Sequence, residues 1–294
     1  MNLLHYPTPA IGLWRMTEWN LDAQQLLNWT EQVLELGASV FDLADIYGDY
    51  EVEARFGQTL ALQPAIRDRL FLISKCNIKL ISSKRPEHRI KYYDTSRAHI
   101  TASVDNSLRL LRTDRLDLLL LHRPDALMDA DEVAVTLNEL QQSGKVLHFG
   151  VSNFSATQVE LLASRLSCEL LTNQIELSVL HPGPLQDGTL DQCQRLRISP
   201  MAWSPLGGGR LFNDDGAREQ RVRTALKMVG VERGGWTLDQ TALSWLLTHP
   251  AHIVPVLGTR SLDNIRSVMR ICHEKLSREQ WYRILEASQG HEVP

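Results

Sequence analysis

The chain has no apolar run near the roughly 18 residues of a membrane-spanning helix. It has no excess of one charge either. Lys and Arg number 31 against 35 Asp and Glu, and the net charge of -4 gives no electrostatic footprint for nucleic acid or an anionic membrane. The N-terminus, MNLLHYPTPA, has neither a charged leader region nor a long apolar core, so no secretory signal is visible. Cysteine is scarce. Cys76, Cys168, Cys193 and Cys272 are scattered and form no CxxC, which fits a reduced, cytoplasmic setting. No GxGxxG follows an apolar run, which argues against an open dinucleotide-binding sheet. No HExxH or paired-His spacing suggests a metal hydrolase.

What is present is an alternation of short apolar runs and helical spacings. The runs fall at residues 10–15, 40–42, 70–75, 116–121, 146–151, 170–175, 199–203 and 253–257. Between them, helical periods appear at 21–36, 51–62, 97–111 and 131–142 in the first half. In the second half one starts at Ser155, and others follow at 191–196, 217–229, 237–247 and 262–271. A further period at 278–288 reads as an added C-terminal helix. Eight strands alternating with helices predict a single (β/α)8 TIM barrel covering residues 1–294, with no repeat or linker to divide it. Residues 78–96 have no clear period and carry Lys79, Lys84, Arg85, Arg89 and Lys91; they read as a solvated connection.

The ends of the strands hold the chemistry. Asp42 closes VFD, with Tyr47 five residues later in the turn. Lys75 ends the third strand and His122 the fourth. A carboxylate on an apolar strand is costly unless a cation or hydrogen bonds compensate it. In a barrel the active site lies at the carboxyl ends of the strands. Asp, Tyr, Lys and His at successive strand ends make a proton-transfer constellation. Each alone has a structural explanation: a turn, a packed ring, a solvated strand end, a hydrogen-bonded histidine.

FDLADIYG, the strand-end Lys75, LLLHRPD, GVSNF, TNQIE and WSPLGGG together resemble the aldo-keto reductase family over essentially the whole chain. The segments NDD after GGGRLF and REQWYRILEASQGHEVP further resemble its bacterial YdhF-type branch. The resemblance implies an NADP-dependent reductase of small-molecule aldehydes or ketones. Tyr47 would donate the proton, and Lys75 would lower the phenol's pKa. Asp42 would hold Lys75 charged, and His122 would orient the substrate oxygen. It also implies where NADP(H) would bind. Ser152, Asn153 and Gln174 would bond the carboxamide, and Trp203 would stack on the nicotinamide. The turn with Ser204, Leu206, Gly208 and Arg210 would hold the pyrophosphate. Gly258, Thr259 and Arg260, opening the last barrel helix, would take the 2′-phosphate, with Asn264 at the adenine.

Two other functions fit parts of this pattern. One is a nucleotide-sensing subunit without turnover on the same fold. The other is a lyase or aldolase using Lys75 as a Schiff-base amine, for which a carboxylate beside it is the wrong neighbour. Trp14, Tyr50 and Ile78 are the expected walls of the substrate pocket. The substrate itself and the oligomeric state are not legible in the sequence.

Overall fold

The computed structural model describes residues 9–294. Among these residues ten strands form in chain order. They are β1 (Ala10–Gly12), β2 (Val40–Asp42), β3 (Phe71–Cys76), β4 (Ile78–Lys79), β5 (Tyr92–Tyr93), β6 (Leu116–Leu121), β7 (Val146–Ser152), β8 (Leu170–Glu176), β9 (Met201–Trp203) and β10 (Val254–Leu257). All but β4 and β5 close into one barrel in the order β1-β10-β9-β8-β7-β6-β3-β2. Every side chain of β3 and β6 is buried, as expected where helices cover the outside and side chains fill the inside. Register sets what faces what: Asp42 pairs with Ile73 across β2–β3, and Lys75 with Leu120 across β3–β6.

The chain divides into two compact units, one of residues 10–173 and one of the described residues 9 and 174–294. The first holds α1 (Ala23–Glu35), α2 (Val52–Leu62), α3 (Arg97–Leu111), α4 (Ala130–Gln142) and α5 (Ala156–Ala163). Phe41 stacks on Phe56 at 5.7 Å and meets Trp29 edge-on at 6.3 Å, joining β2 to α2 and α1. Gly57 lets α2 touch the next helix. A Cβ there would lie 1.9 Å from the Leu110 carbonyl oxygen. At the end of β6 away from His122, Arg67 and Asp117 form a buried ion pair at 2.8 Å, and Asp117 also accepts the Leu72 N–H.

The second unit holds α6 (Thr189–Leu196), α7 (Ala217–Glu232), α8 (Leu238–Thr248), α9 (Leu262–Met269) and α10 (Arg278–Gln289). The added C-terminal helix is locked on by two indoles. Trp245 and Trp281 stack at 5.0 Å, and each ring N–H donates to the other residue's carbonyl.

Four helices begin with reciprocal capping boxes, in which the cap side chain and a Gln three residues on each accept the other's backbone N–H. The pairs are Asp22 with Gln25, Ser155 with Gln158, Thr237 with Gln240 and Ser277 with Gln280. These boxes explain why helix starts follow the sequence closely.

Residues 78–96 are largely solvent-exposed, as expected, but they are more ordered than a plain connection. β4 and β5 pair antiparallel, Ile78 with Tyr93 and Lys79 with Tyr92. The connection is tied to the turn after β2. Leu80 N–H donates to Tyr50 Oη at 3.0 Å, Lys84 Nζ meets Glu51 at 2.5 Å, and the Arg85 guanidinium lies over the Tyr50 ring.

Candidate active site

β2 delivers Asp42 at its last residue. The chain then makes one tight turn at Tyr47–Tyr50, where Gly48, Asp49 and Tyr50 all have positive φ. That turn folds Tyr47 back over the end of β3. Lys75 is fully buried, and its ammonium makes four close polar contacts. It meets Asp42 Oδ1 at 2.7 Å and Oδ2 at 2.8 Å, the Leu43 carbonyl at 2.7 Å and Tyr47 Oη at 3.0 Å. The bond to Tyr47 runs from the ammonium to the phenol oxygen, which leaves the phenol proton free to point elsewhere.

His122 enters from the end of β6. Its backbone N–H donates to the Cys76 carbonyl at 3.0 Å, and its ring meets the Tyr47 ring edge-on at 5.9 Å. Two asparagines in the left-handed region frame it. Asn77 (φ 88) donates to the Arg123 carbonyl at 2.8 Å and accepts the Arg123 N–H at 3.1 Å. Asn153 (φ 62) donates to the His122 carbonyl at 3.4 Å and to Ser152 Oγ at 2.8 Å. Asn is the side-chain-bearing residue best suited to that backbone region. The Nδ1 atom of His122 is sealed from solvent and has no hydrogen-bond partner among the described residues.

Protonation follows from burial and neighbours. Burial is the largest single effect and works against the Lys75 charge, but Asp42 and Tyr47 together outweigh it and hold Lys75 above the usual lysine range. An amine so held is a poor Schiff-base nucleophile. Burial, and then the Lys75, Arg123 and Lys91 charges, push His122 well below its ordinary value, so its imidazole is neutral near pH 7. For Tyr47 the sequence-based expectation needs correcting. Lys75 does pull the phenol down, but burial is the larger effect and Tyr47 lies above its ordinary value. The phenol keeps its proton.

All four strand-end residues therefore meet in one cluster, within residues 10–173. Ser152, buried, and Asn153, half-buried, stand at the end of β7 in the same unit. The other nucleotide candidates lie in the second unit. Gln174 is buried on β8 with its amide 3.9 Å from Met201 Sδ, and Trp203 is half-buried at the end of β9. Between Ser204 and Arg210 the chain turns through positive φ at Ser204, Gly207, Gly208 and Gly209. Leu206 is half-buried in that turn, and Arg210 Nε donates to the Gly207 carbonyl at 3.2 Å. A Cβ at Gly258 would meet nothing within 4 Å. Arg260 is exposed just before Ser261, which caps α9 by accepting the Asn264 N–H. The Asn264 side chain turns back to Thr259 Oγ1 at 3.4 Å. A turn of successive positive-φ residues and an open glycine before a capped helix start both fit phosphate groups.

Sequence reasoning missed two acids beside this cluster, the buried Glu53 and the half-buried Asp45, whose Oδ1 is sealed from solvent. Glu53 carried a signal. With Phe56, Gly57 and Leu60 it occupies the i, i+3, i+4, i+7 stripe of α2, the face that packs inward.

Among the described residues, no group of three or more His, Cys, Asp and Glu could hold a metal ion, and no helix is long and apolar enough to cross a membrane. The barrel, and the acid, phenol, amine and imidazole at its strand ends, define a class. The chain belongs to the aldo/keto reductase family, whose model matches residues 10–289. It is 48 % identical over 283 residues to the oxidoreductase YcsN of Bacillus subtilis, covering 96 % of this chain and 94 % of YcsN. It is also 48 % identical over 285 residues to the oxidoreductase YdhF of Escherichia coli, covering 97 % and 94 %. A 6-dehydroglucose reductase of Agrobacterium fabrum is 42 % identical over 285 residues, covering 96 % and 94 %. Among solved structures, an aldo/keto reductase from Klebsiella pneumoniae in complex with NADP and acetate superposes with a TM-score of 0.75. It is 26 % identical, over 97 % of this chain and 91 % of that one. The chain is thus an oxidoreductase of this family.

Proposed function

We propose that this protein acts as one barrel domain that reduces the carbonyl group of a small aldehyde or ketone to an alcohol. Its reductant would be NADPH, which supplies the hydride when bound. Tyr47 donates a proton to the carbonyl oxygen as negative charge develops there. Lys75, kept cationic by Asp42, stabilises the phenolate left behind. His122, neutral, donates a hydrogen bond that fixes the direction of the carbonyl oxygen. Ser152, Asn153 and Gln174 orient the nicotinamide amide, and Trp203 offers its face to the ring. The turn at residues 204–210 and the segment 258–264 take the phosphates and adenosine. The observation that carries the reading is the Lys75 ammonium bridging Asp42 and Tyr47 within 3.0 Å. The family membership and the NADP complex of the Klebsiella relative support the choice of reductant. The four free cysteines suit a reducing compartment such as the cytoplasm.

Two relatives bear the name 6-dehydroglucose reductase, so hydroxylated aldehydes head the substrate panel. The test is NADPH oxidation, followed by absorbance, over aldehydes and ketones with wild type and Tyr47→Phe. Wild type turns over at least one hydroxylated aldehyde, and the phenylalanine variant loses about 10²–10⁴-fold in kcat while still binding NADPH. Near wild-type turnover by Tyr47→Phe assigns the proton to another group. Bound NADPH that stays unoxidised over the whole panel overturns the reading in favour of nucleotide sensing.

A further inference from the structure

Side chains alternate along β3, so Lys75 points into the barrel while Ser74 points toward the helices. Behind that strand lie two carboxyl groups with no part in the chemistry described above. Glu53, on the first turn of α2, is 1 % exposed. It accepts a hydrogen bond from Ser74 Oγ at 2.6 Å on one oxygen and from Ser107 Oγ at 3.0 Å on the other. Asp45, in the turn after β2, accepts from Ser103 Oγ at 3.0 Å on Oδ2. Its Oδ1 is sealed from solvent and has no hydrogen-bond partner among the described residues. The backbone couples both acids to the catalytic strand: Asp45 N–H donates to the Lys75 carbonyl at 3.1 Å, and Ser74 is the neighbour of Lys75.

Neutral serines are the side-chain donors to these acids, and Lys75 is the cation that bears on both. Two further titratable groups face Asp45. The Cys76 thiol on β3 feels both carboxyls and Asp94, and the Tyr50 phenol in the turn feels Asp45. The front of Lys75 faces Asp42 and Tyr47. Fully apolar side chains would fill this layer without desolvating any acid, so the pair has no evident packing rationale.

We propose that Asp45 and Glu53 are positioning residues for proton donation, a sealed carboxyl pair behind β3 that acts through Lys75 to keep the Tyr47–Lys75 couple protonated at alkaline pH. This rests on the reading of Tyr47 as the proton donor. Adjacent buried carboxyls do not ionise together cheaply. Burial pushes Glu53 up to about 7, and burial with the Glu53 charge pushes Asp45 up to about 8. Below those values the pair is neutral. As pH rises through them, one and then two negative charges appear behind the Lys75 ammonium. Each makes proton loss from the couple harder. The brake is applied in the range just below that in which the phenol begins to ionise.

The test uses Asp45→Asn and Glu53→Gln, which keep shape and leave the serines able to donate or accept. Two pH titrations are compared with wild type. One is kcat for carbonyl reduction; the other is Tyr47 phenolate formation by ultraviolet difference spectra, with Tyr47→Phe as the blank. Both the alkaline limb of kcat and the phenolate titration should move down by about one pH unit in either variant, a tenfold change in proton affinity. Thermal melts identify variants that fold as wild type does. A phenolate titration that stays in place in such a variant overturns the proposal. A phenolate that moves while the kcat limb does not upholds the electrostatic coupling and refutes Tyr47 as donor.

Discussion

Glu53→Gln should make the protein less sensitive to rising pH, and the size of the effect can be worked out. The Glu53 carboxyl is buried, and its proton is held up to about 7 against an ordinary value of 4.5. Between those two values the unfolded chain has given up a proton that the native chain keeps. Stability therefore falls as pH rises through this window. Above about 7 the native state must ionise the buried group as well, and the full penalty is in place. At about 1.4 kcal/mol per unit, the shift costs on the order of 3 kcal/mol above pH 7. For a chain of this size that is roughly 6 °C in Tm. The glutamine of the variant has no proton to lose and also relieves Asp45 of a charged neighbour. Melts of both proteins at about pH 5 and about pH 8 measure it. Because part of the penalty is already present at about pH 5, the wild type should lose roughly 5 °C more than the variant over that interval. An equal fall in both would mean that Glu53 ionises freely in the native state, and that the two carboxyls are not a sealed pair.

Two further substitutions probe other parts of the structure. Gly57→Ala drives a methyl group into the Leu110 carbonyl and must push α2 off the following helix; a loss of about 2 kcal/mol or more is expected in denaturant unfolding. A loss below about 0.5 kcal/mol would mean that the two helices do not meet as described. Arg260→Ala should weaken NADPH binding by about ten- to a hundredfold and NADH binding far less, because one charge-assisted bond to phosphate is worth about 1.5–3 kcal/mol. Fluorescence titration with each nucleotide decides it, and equal losses would remove Arg260 from phosphate recognition.

The barrel and its strand-end quartet were readable because each of Asp42, Lys75 and His122 interrupts or ends an apolar run, and a barrel gathers such positions at one rim. Helix starts were readable where local caps write them, as at Ser155 with Gln158. The pairing of β4 with β5 was not. Each strand is only two residues long, and what holds the connection is side chains from the turn after β2, far away in sequence. The direction of the Tyr47 shift was missed for a related reason. Sequence shows a cation nearby but not the depth of burial that outweighs it. Ser103 and Ser107, which bond Asp45 and Glu53, lie among Ile100, Val104 and Leu111 on the packed face of α3, a polar interruption visible only once the stripe is drawn.

The capping boxes have a consequence for how such a barrel can change over time. α1 follows the loop that carries Trp14, and α5 follows Ser152 and Asn153. In both, the first turn is fixed by a cap and a glutamine three residues apart, with no help from the loop before it. An insertion or deletion upstream therefore leaves the start of the helix, and the face it buries, where they were. Loops at this rim of the barrel can be lengthened, shortened or exchanged as independent modules, while the scaffold beneath keeps its register.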